Sequence, residues 1–440
     1  MEYAIRHPFI LMPVLPAGLP NHFTKLFLRM MQMRSAGLIP FAAILIFMLS
    51  VFFYNCHNTN AGIERTEPAL TFHISEADIE PGIRASDLID SIELIALDTV
   101  KSGLVSSVSK LQEAGSHFYI LDTYDAAGLF TFNRSGAFVR KTGRKGLAKG
   151  EYQYPNDFFI DSIANRLYIL NTEGRSINIY DSRTGNFLSK QTDRKLFYGH
   201  FTRVNNNLWV FGDPAMGRKE LLFTDNNMQE KASLFPFSAY RRIAWINHSF
   251  SRIGNSDTVL ASLKGMDTIF HLNGTRLIPH VAVDFGEKKL THNNFYSAPK
   301  HIRAGTVENS QERIRYFARY MRSVNNYIEN TNIISFTFEY NLRRYQVLYH
   351  KKNRSQKVFD AGRLNNDVTF QNWFPTPMCT GADGTSMLAF IPAEDVPQIQ
   401  AATSRPGGSR FAEQAARAVA GLTPASNNGL LVRIWFKQAF

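Results

Sequence analysis

The residue types that run from Tyr119 to Phe138 recur from Tyr168 to Phe187, 49 residues on. The first copy reads "YILDTYDAAGLFTFNRSGAF" and the second "YILNTEGRSINIYDSRTGNF". Each copy has a short hydrophobic run ending at Asp122 or Asn171, a polar turn, and a second run ending at Phe132 or Tyr180. A turn closed by Gly136 or Gly185 follows, and then Phe138 or Phe187. The two turns differ by one residue, a tolerance expected of a surface hairpin loop. Apolar residues at every second position, as in "INIYDS", predict strands and lack the three-to-four spacing of a helix. A unit of four short strands repeated every 40 to 50 residues or so is the period of a propeller blade, and one blade cannot bury both of its faces alone.

Weaker echoes begin near Leu208, Asp257 and Asn332, and "TSMLAFIP" with "GLLVRIWFKQ" closes the chain. Together with the region before Tyr119 they give about six units, hence an all-β, six-bladed propeller of four-stranded antiparallel blades. The composition agrees, since 35 Phe and 17 Tyr suit pleated surfaces better than helices. Ring closure is expected from pairing of Leu430 to Phe436 with a strand near Ile92 to Leu97, which leaves no free sheet edge.

Residues 1–55 read as a targeting segment, 56–87 as a linker with the first strands, and 88–440 as the propeller. An uninterrupted apolar run, Leu38 to Tyr54, follows Arg34 and stops just before Cys56. That order predicts a lipoprotein signal with acylation at Cys56, in a cell-envelope protein. The bulky Phe53, Tyr54 and Asn55 leave an uncleaved signal anchor as the alternative, and translation from Met31 or Met33 would place the basic cluster at the start. With 2 Cys in all, no disulfide framework exists. The net charge is +12, of which Arg6, Lys25, Arg29 and Arg34 against Glu2 supply +3. An exported domain does not meet nucleic acid, so the remaining positive charge points to anionic glycans or envelope surfaces.

The runs "LIDSIELIALDT", "FYILDTYDAAGLFTFNRSGAFVRKTGRKGLAKGEYQYPNDFFID", "LNNDV" and "GLLVRIWFKQ" resemble the six-bladed, NHL-like propeller lipoproteins of Bacteroides and its relatives. The similarity spans about residues 88 to 440, in order. It implies six blades and an envelope location but little chemistry, because the function of that family is largely unassigned. Ala148 and Lys149 replace an expected Gly-Pro pair, and the approach to the last strand is unusually rich in Ala.

Two segments break the strand rhythm. From Val307, Ile314, Phe317, Tyr320 and Met321 fall at helical spacing; from Ser409, Phe411, Ala415 and Ala418 do so, with Gly421 as a C-terminal stop. The plain expectation is that these helices cover blade ends; a sharper one is that they shape a binding surface.

Chemical motifs are sparse. "GRKGLAKGEY" lacks the Gly-Lys-Ser/Thr of a phosphate loop, so its glycines are read as positions of positive φ. No two of the 12 His lie closer than nine residues, which removes compact metal motifs; His200, His271 and His280 are the candidates for strand ends. Cys379 lacks a partner for nucleophilic chemistry, and Asp122 with Asp125 falls in a turn, where Asp bonds local backbone. No cofactor motif is present. Exposed rings and arginines remain as ligand-binding candidates: Tyr240, Arg241, Arg242, Trp245 and Trp373.

The reading is a membrane-tethered propeller that binds a glycan, a peptide or an envelope protein without catalysis. The alternative is a propeller enzyme, a lyase or hydrolase, with polar groups converging at the channel mouth. A ligand sensor coupled to a partner is indistinguishable from the first by sequence.

Overall fold

A computed structural model describes residues 61–99, 104–214, 217–236, 238–243, 246–254, 256–304, 310–404, 409–423 and 428–440. Six four-stranded antiparallel sheets are arranged in a ring. Blade 1 is Lys110–Ala114, His117–Asp122, Gly128–Asn133 and Phe138–Thr142. Blade 2 is Pro155–Asp161, Arg166–Asn171, Ser176–Asp181 and Phe187–Thr192. Blade 3 is Tyr198–Val204, Leu208–Pro214, Leu221–Asp225 and Glu230–Leu234, and blade 4 is Phe250–Arg252, Val259–Ser262, Thr268–Asn273 and Arg276–Asp284. Blade 5 is Arg322–Glu329, Ile333–Tyr340, Arg343–His350 and Ser355–Asp360. Blade 6 combines Cys379–Thr380, Met387–Ile391 and Leu430–Phe436 with Ile89–Ala96 from the start of the domain.

The expected closure is present. Leu430 pairs with Ala96 and Ile434 with Ile92, so the last strand of the chain is stitched to the first strand of the ring. Six apolar clusters fill the gaps between neighbouring blades. Tyr119 and Leu121 of blade 1 meet Phe158 and Ile169 of blade 2, and Tyr168 of blade 2 meets Trp209 of blade 3 with ring centroids 4.9 Å apart. Each such large side chain removed from water contributes roughly 1.5–3 kcal/mol, which a lone blade cannot recover.

The sequence repeat has a direct structural meaning. Asp122 accepts from the N–H groups of Ser106 and Ser107, and its equivalent Asn171 accepts from Gln153 and Tyr154, so each ties the loop entering its own blade. Burial opposes ionisation of Asp122, but the N–H groups of Ser107, Ser106 and Asp125 outweigh it and hold the pKa below the ordinary carboxylate value. Phe132 with Phe138 and Tyr180 with Phe187 form the same edge-on ring contact, at 5.8 and 5.7 Å. A bulge recurs between the third and fourth strands of blades 1 to 4, where the outermost strand twists away. Gly143 and Gly150 of the glycine loop both take positive φ, as the sequence predicts.

Six α-helices are inserted among the described residues. Ala85–Leu88 is α1, His292–Tyr296 α2, Lys300–Ala304 α3, Ser310–Ala318 α4, Val396–Thr403 α5 and Arg410–Val419 α6; the first is a single turn leading into the ring. The helical spacing read from Val307 overshoots. The helix ends at Ala318, and Arg322–Glu329 is instead the innermost strand of blade 5, with Val324, Tyr327 and Ile328 buried. Packing against blade 4 overrides the local pattern there, and α2 and α3 have no counterpart in the sequence reading. Helix α6 matches expectation: Ser409 Oγ accepts from the Ala412 N–H at its start, and Gly421 follows at φ +74°.

Ahead of α1, the chain lies as a strap along the rim. Gly62–Ile63 and Leu70–His73 add in parallel to the outer edge of blade 4, and Glu80 donates its N–H to Val358 at the edge of blade 5. The strap is moored on "LNNDV": Ala85 N–H donates to Asn365 O, and Asp367 accepts from the N–H and hydroxyl of Ser86.

Candidate functional site

The innermost strands place charged and polar groups around the axis. Lys110 of blade 1 donates to Asp157 of blade 2 at 2.6 Å and to Phe158 O at 2.8 Å, while Asp157 also accepts from the N–H of Phe201 in blade 3. His200 shares a 2.9 Å hydrogen bond with Ser249, and its ring lies 6.0 Å from that of His248. Burial pushes both histidines below their ordinary value, His248 further, with His200 and Lys110 adding to the effect. Both imidazoles are therefore neutral near pH 7.

One level on, Arg433 of blade 6 forms two bonds of 2.8 Å to Glu113 of blade 1, whose carboxylate also accepts from Ala382 N–H. Arg433 reaches Glu93 as well, at 3.1 Å. This buried ion pair spans the seam where the ring closes. Cys379 sits beside it, its thiol pushed up to about 12 by burial, so it is held as thiol and is a poor nucleophile. Between blades 4 and 5, Glu329 accepts from His280 at 2.8 Å, Tyr327 at 2.6 Å and Lys351 at 2.6 Å. Burial opposes its ionisation, but these three donors outweigh it and bring the pKa to about 2. Among the described residues, no three His, Cys, Asp or Glu side chains are grouped to hold a metal ion.

The sequence-derived binding residues are dispersed. Tyr240 packs beside α2 and donates its hydroxyl to Leu290 O at 2.6 Å. Arg241 lies over the Phe235 ring at 5.1 Å, and burial lowers its pKa. The side chain of Arg242, together with Trp245 and Cys56, lies outside the described residues. His271 is half-buried in blade 4, and His280 is engaged by Glu329.

Trp373 stands elsewhere, in a cleft of about 420 Å³ at the rim where blade 5 hands over to blade 6. The hairpin turn of blade 5 forms one wall and supplies Leu342, Arg343 and Arg344; the end of its last strand supplies Asp360, Gly362 and Arg363; the connection to blade 6 supplies Trp373, Phe374 and Thr376. The floor is held by Asn366, which donates to Thr369, Gln371 and the Trp373 carbonyl and accepts from Val368 and Thr369. Phe374 is locked by an edge-on contact with Phe359 at 5.2 Å. The Trp373 indole N–H donates to Asp395 at 3.0 Å, just ahead of α5, which fixes the ring plane.

Three guanidinium groups and one carboxylate line this cleft. Asp360 faces Arg343 at 3.4 Å and Arg363 at 3.8 Å, and among the described residues Arg344 forms no ion pair. By strand alternation Arg344 shares the face of Leu348, toward blade 6 and Trp373. Leu342 at the lip is 63% exposed and takes φ +61°, an unusual conformation for a branched apolar residue. The sequence reading named Trp373 and missed the arginines. The adjacent pair in "NLRRYQ" was the available signal, but Trp373 is separated from it by 29 residues of strand and loop.

Comparison with known proteins now fixes the relationship. A model of the domain of unknown function DUF4934 matches residues 69–417. The chain belongs to the DUF4934 family. Among solved structures, this DUF4934 protein is similar to a candidate exported protein of Bacteroides fragilis, with TM-score 0.69 and 16% identity over 83% of this chain and 99% of that one. A member of the DUF4221 family from Bacteroides vulgatus matches with TM-score 0.46 and 8% identity over 80% of this chain and 97% of that one. At these identities the likeness concerns the fold. No curated protein matches the chain.

Proposed function

We propose that this DUF4934 protein is a non-catalytic binding module of the cell envelope and that its ligand sits in the cleft beside Trp373. One observation carries the reading: the charged groups buried between blades are bonded to one another, whereas the rim cleft presents three guanidinium groups against one carboxylate. A channel-mouth enzyme needs acids, bases or nucleophiles free to reach a substrate. Lys110, Asp157, His200 and Cys379 are each engaged or held in an unreactive form. The envelope location rests on the apolar run Leu38 to Tyr54 ahead of Cys56, and it accords with the name of the Bacteroides fragilis protein. Lipid anchoring at Cys56 belongs to the same proposal.

The test is a glycan and peptide array probed with the full chain and with its Arg344→Ala and Trp373→Phe variants, in parallel with metal analysis. Binding by the parent that both variants lose supports the reading. Array ligands held equally by all three proteins would move the site elsewhere, and tightly held stoichiometric metal would revive the enzyme. Labelling with an alkyne fatty acid, lost in Cys56→Ala, checks the anchor.

A further inference from the structure

Beyond binding as such, we infer that the cleft takes an anionic saccharide, a pyranose carrying a carboxylate or sulfate. This inference rests on the binding reading above and specifies its ligand. Shape and chemistry both bear on it. A volume of about 420 Å³ is near the low end of small-molecule sites and suits one or two sugar rings. Trp373 is half-buried, and its indole N–H is already committed to Asp395, so what the residue has left to offer is its ring face. A flat ring face fixed in plane is a stacking platform for the apolar face of a pyranose.

The charge excess selects among sugars. With Asp360 shared between Arg343 and Arg363, Arg344 keeps its full donor fork, whose planar geometry matches a carboxylate or sulfate in a two-bond contact. A neutral sugar would leave that fork to water.

An acidic peptide satisfies the charges less well. Extended peptides gain most of their affinity by adding a strand to a free sheet edge. The edge of blade 5 next to the cleft is met by the strap at its middle: Glu80 N–H bonds Val358 O, and Lys357 bonds both carboxylate oxygens of Glu80 at 3.0 and 2.9 Å, which leaves an added strand no continuous edge. A peptide could reach the cleft with its side chains alone.

The experiment titrates the full chain in detergent with four probes: tetragalacturonate, a heparin-derived hexasaccharide, maltotetraose and tetraglutamate. Heat of binding and Trp fluorescence are followed at 50 and 300 mM salt. The expected result is binding of one or both anionic saccharides at least tenfold tighter than maltotetraose and tetraglutamate. That binding should weaken severalfold at the higher salt and at least tenfold in both Arg344→Ala and Trp373→Phe. Comparing the two anionic probes assigns carboxylate or sulfate. Equal binding of maltotetraose overturns the charge argument, and preference for tetraglutamate overturns the sugar. If neither anionic saccharide binds, the inference falls. The binding reading then survives only if some other array ligand is lost in the two variants, and it falls too if none is. Melting curves of the variants that match the parent show that a loss of binding is not a loss of fold.

Discussion

Between the blades, Lys110 meets Asp157 at 2.6 Å and Arg433 meets Glu113 through two bonds; at the rim, Arg343, Arg344 and Arg363 have the one carboxylate of Asp360 to share. The difference follows from solvent. Between blades a buried charge without a partner costs several kcal/mol, so the fold pairs every one described above. At the open cleft water hydrates the spare guanidinium groups at little cost, and the chain can keep them available. Charge that stabilises and charge left open to water are thus separated by depth.

Removing the closing strand tests the frame of both regions. Deleting residues 430–440 unpairs Ile89–Ala96 and Met387–Ile391 at once, and the expected outcome is loss of a single cooperative transition in denaturant. A truncated chain that melts like the parent breaks the closed-ring account. Next in size is Arg433→Ala, which leaves the Glu113 side chain, 1% exposed, with only the distant Arg134 at 4.0 Å. Breaking a buried pair in this way costs roughly 3–5 kcal/mol by urea unfolding.

Acid should act on the paired regions in two separate windows. Glu329 has a folded pKa of about 2 against an ordinary 4.5, so its contribution is complete above the unfolded value and is lost as pH falls through 4.5 toward 2. That loss amounts to roughly 3 kcal/mol at most, and Glu329→Gln should flatten the stability profile in this range. His200 and His248 act earlier. Burial holds both below their ordinary value in the fold while the unfolded chain protonates them below about 6.5, so stability falls as pH drops from there, by at most about 1.4 kcal/mol per pH unit for each histidine. A His200→Gln, His248→Gln double variant with an unchanged slope between pH 6.5 and 5 would refute the neutral pair.

The smallest expected effect is the most informative about the rim. Arg344→Ala should change unfolding free energy by no more than about 0.5 kcal/mol, because an exposed, unpaired guanidinium contributes little to stability. A cost like that of Arg433→Ala would erase the contrast between the two regions and make the cleft structural.

Much of this architecture was legible before any coordinates. The match of Asp122 with Asn171 and of Phe138 with Phe187 marked equivalent jobs, and each pair makes equivalent bonds. Closure by Leu430–Phe436 could be read because a propeller needs a last strand with no partner of its own. The run from Val307 misled because Val324 and Ile328 continue a helical spacing while packing as strand residues. Of the cleft, Trp373 alone was visible. Its arginines carry no local motif, and Tyr240 and Arg241, equally plausible on paper, are tied to Leu290 and Phe235.

The sequence by itself determined the period of the repeat, the number of blades and the strand that closes the ring, since alternation and turn chemistry act between near neighbours along the chain. Only the tertiary structure decided which charges are spent on one another and which face water. Lys110 with Asp157, Glu113 with Arg433, and Arg344 with Trp373 lie 47, 320 and 29 residues apart, and the ring alone brings such groups within reach.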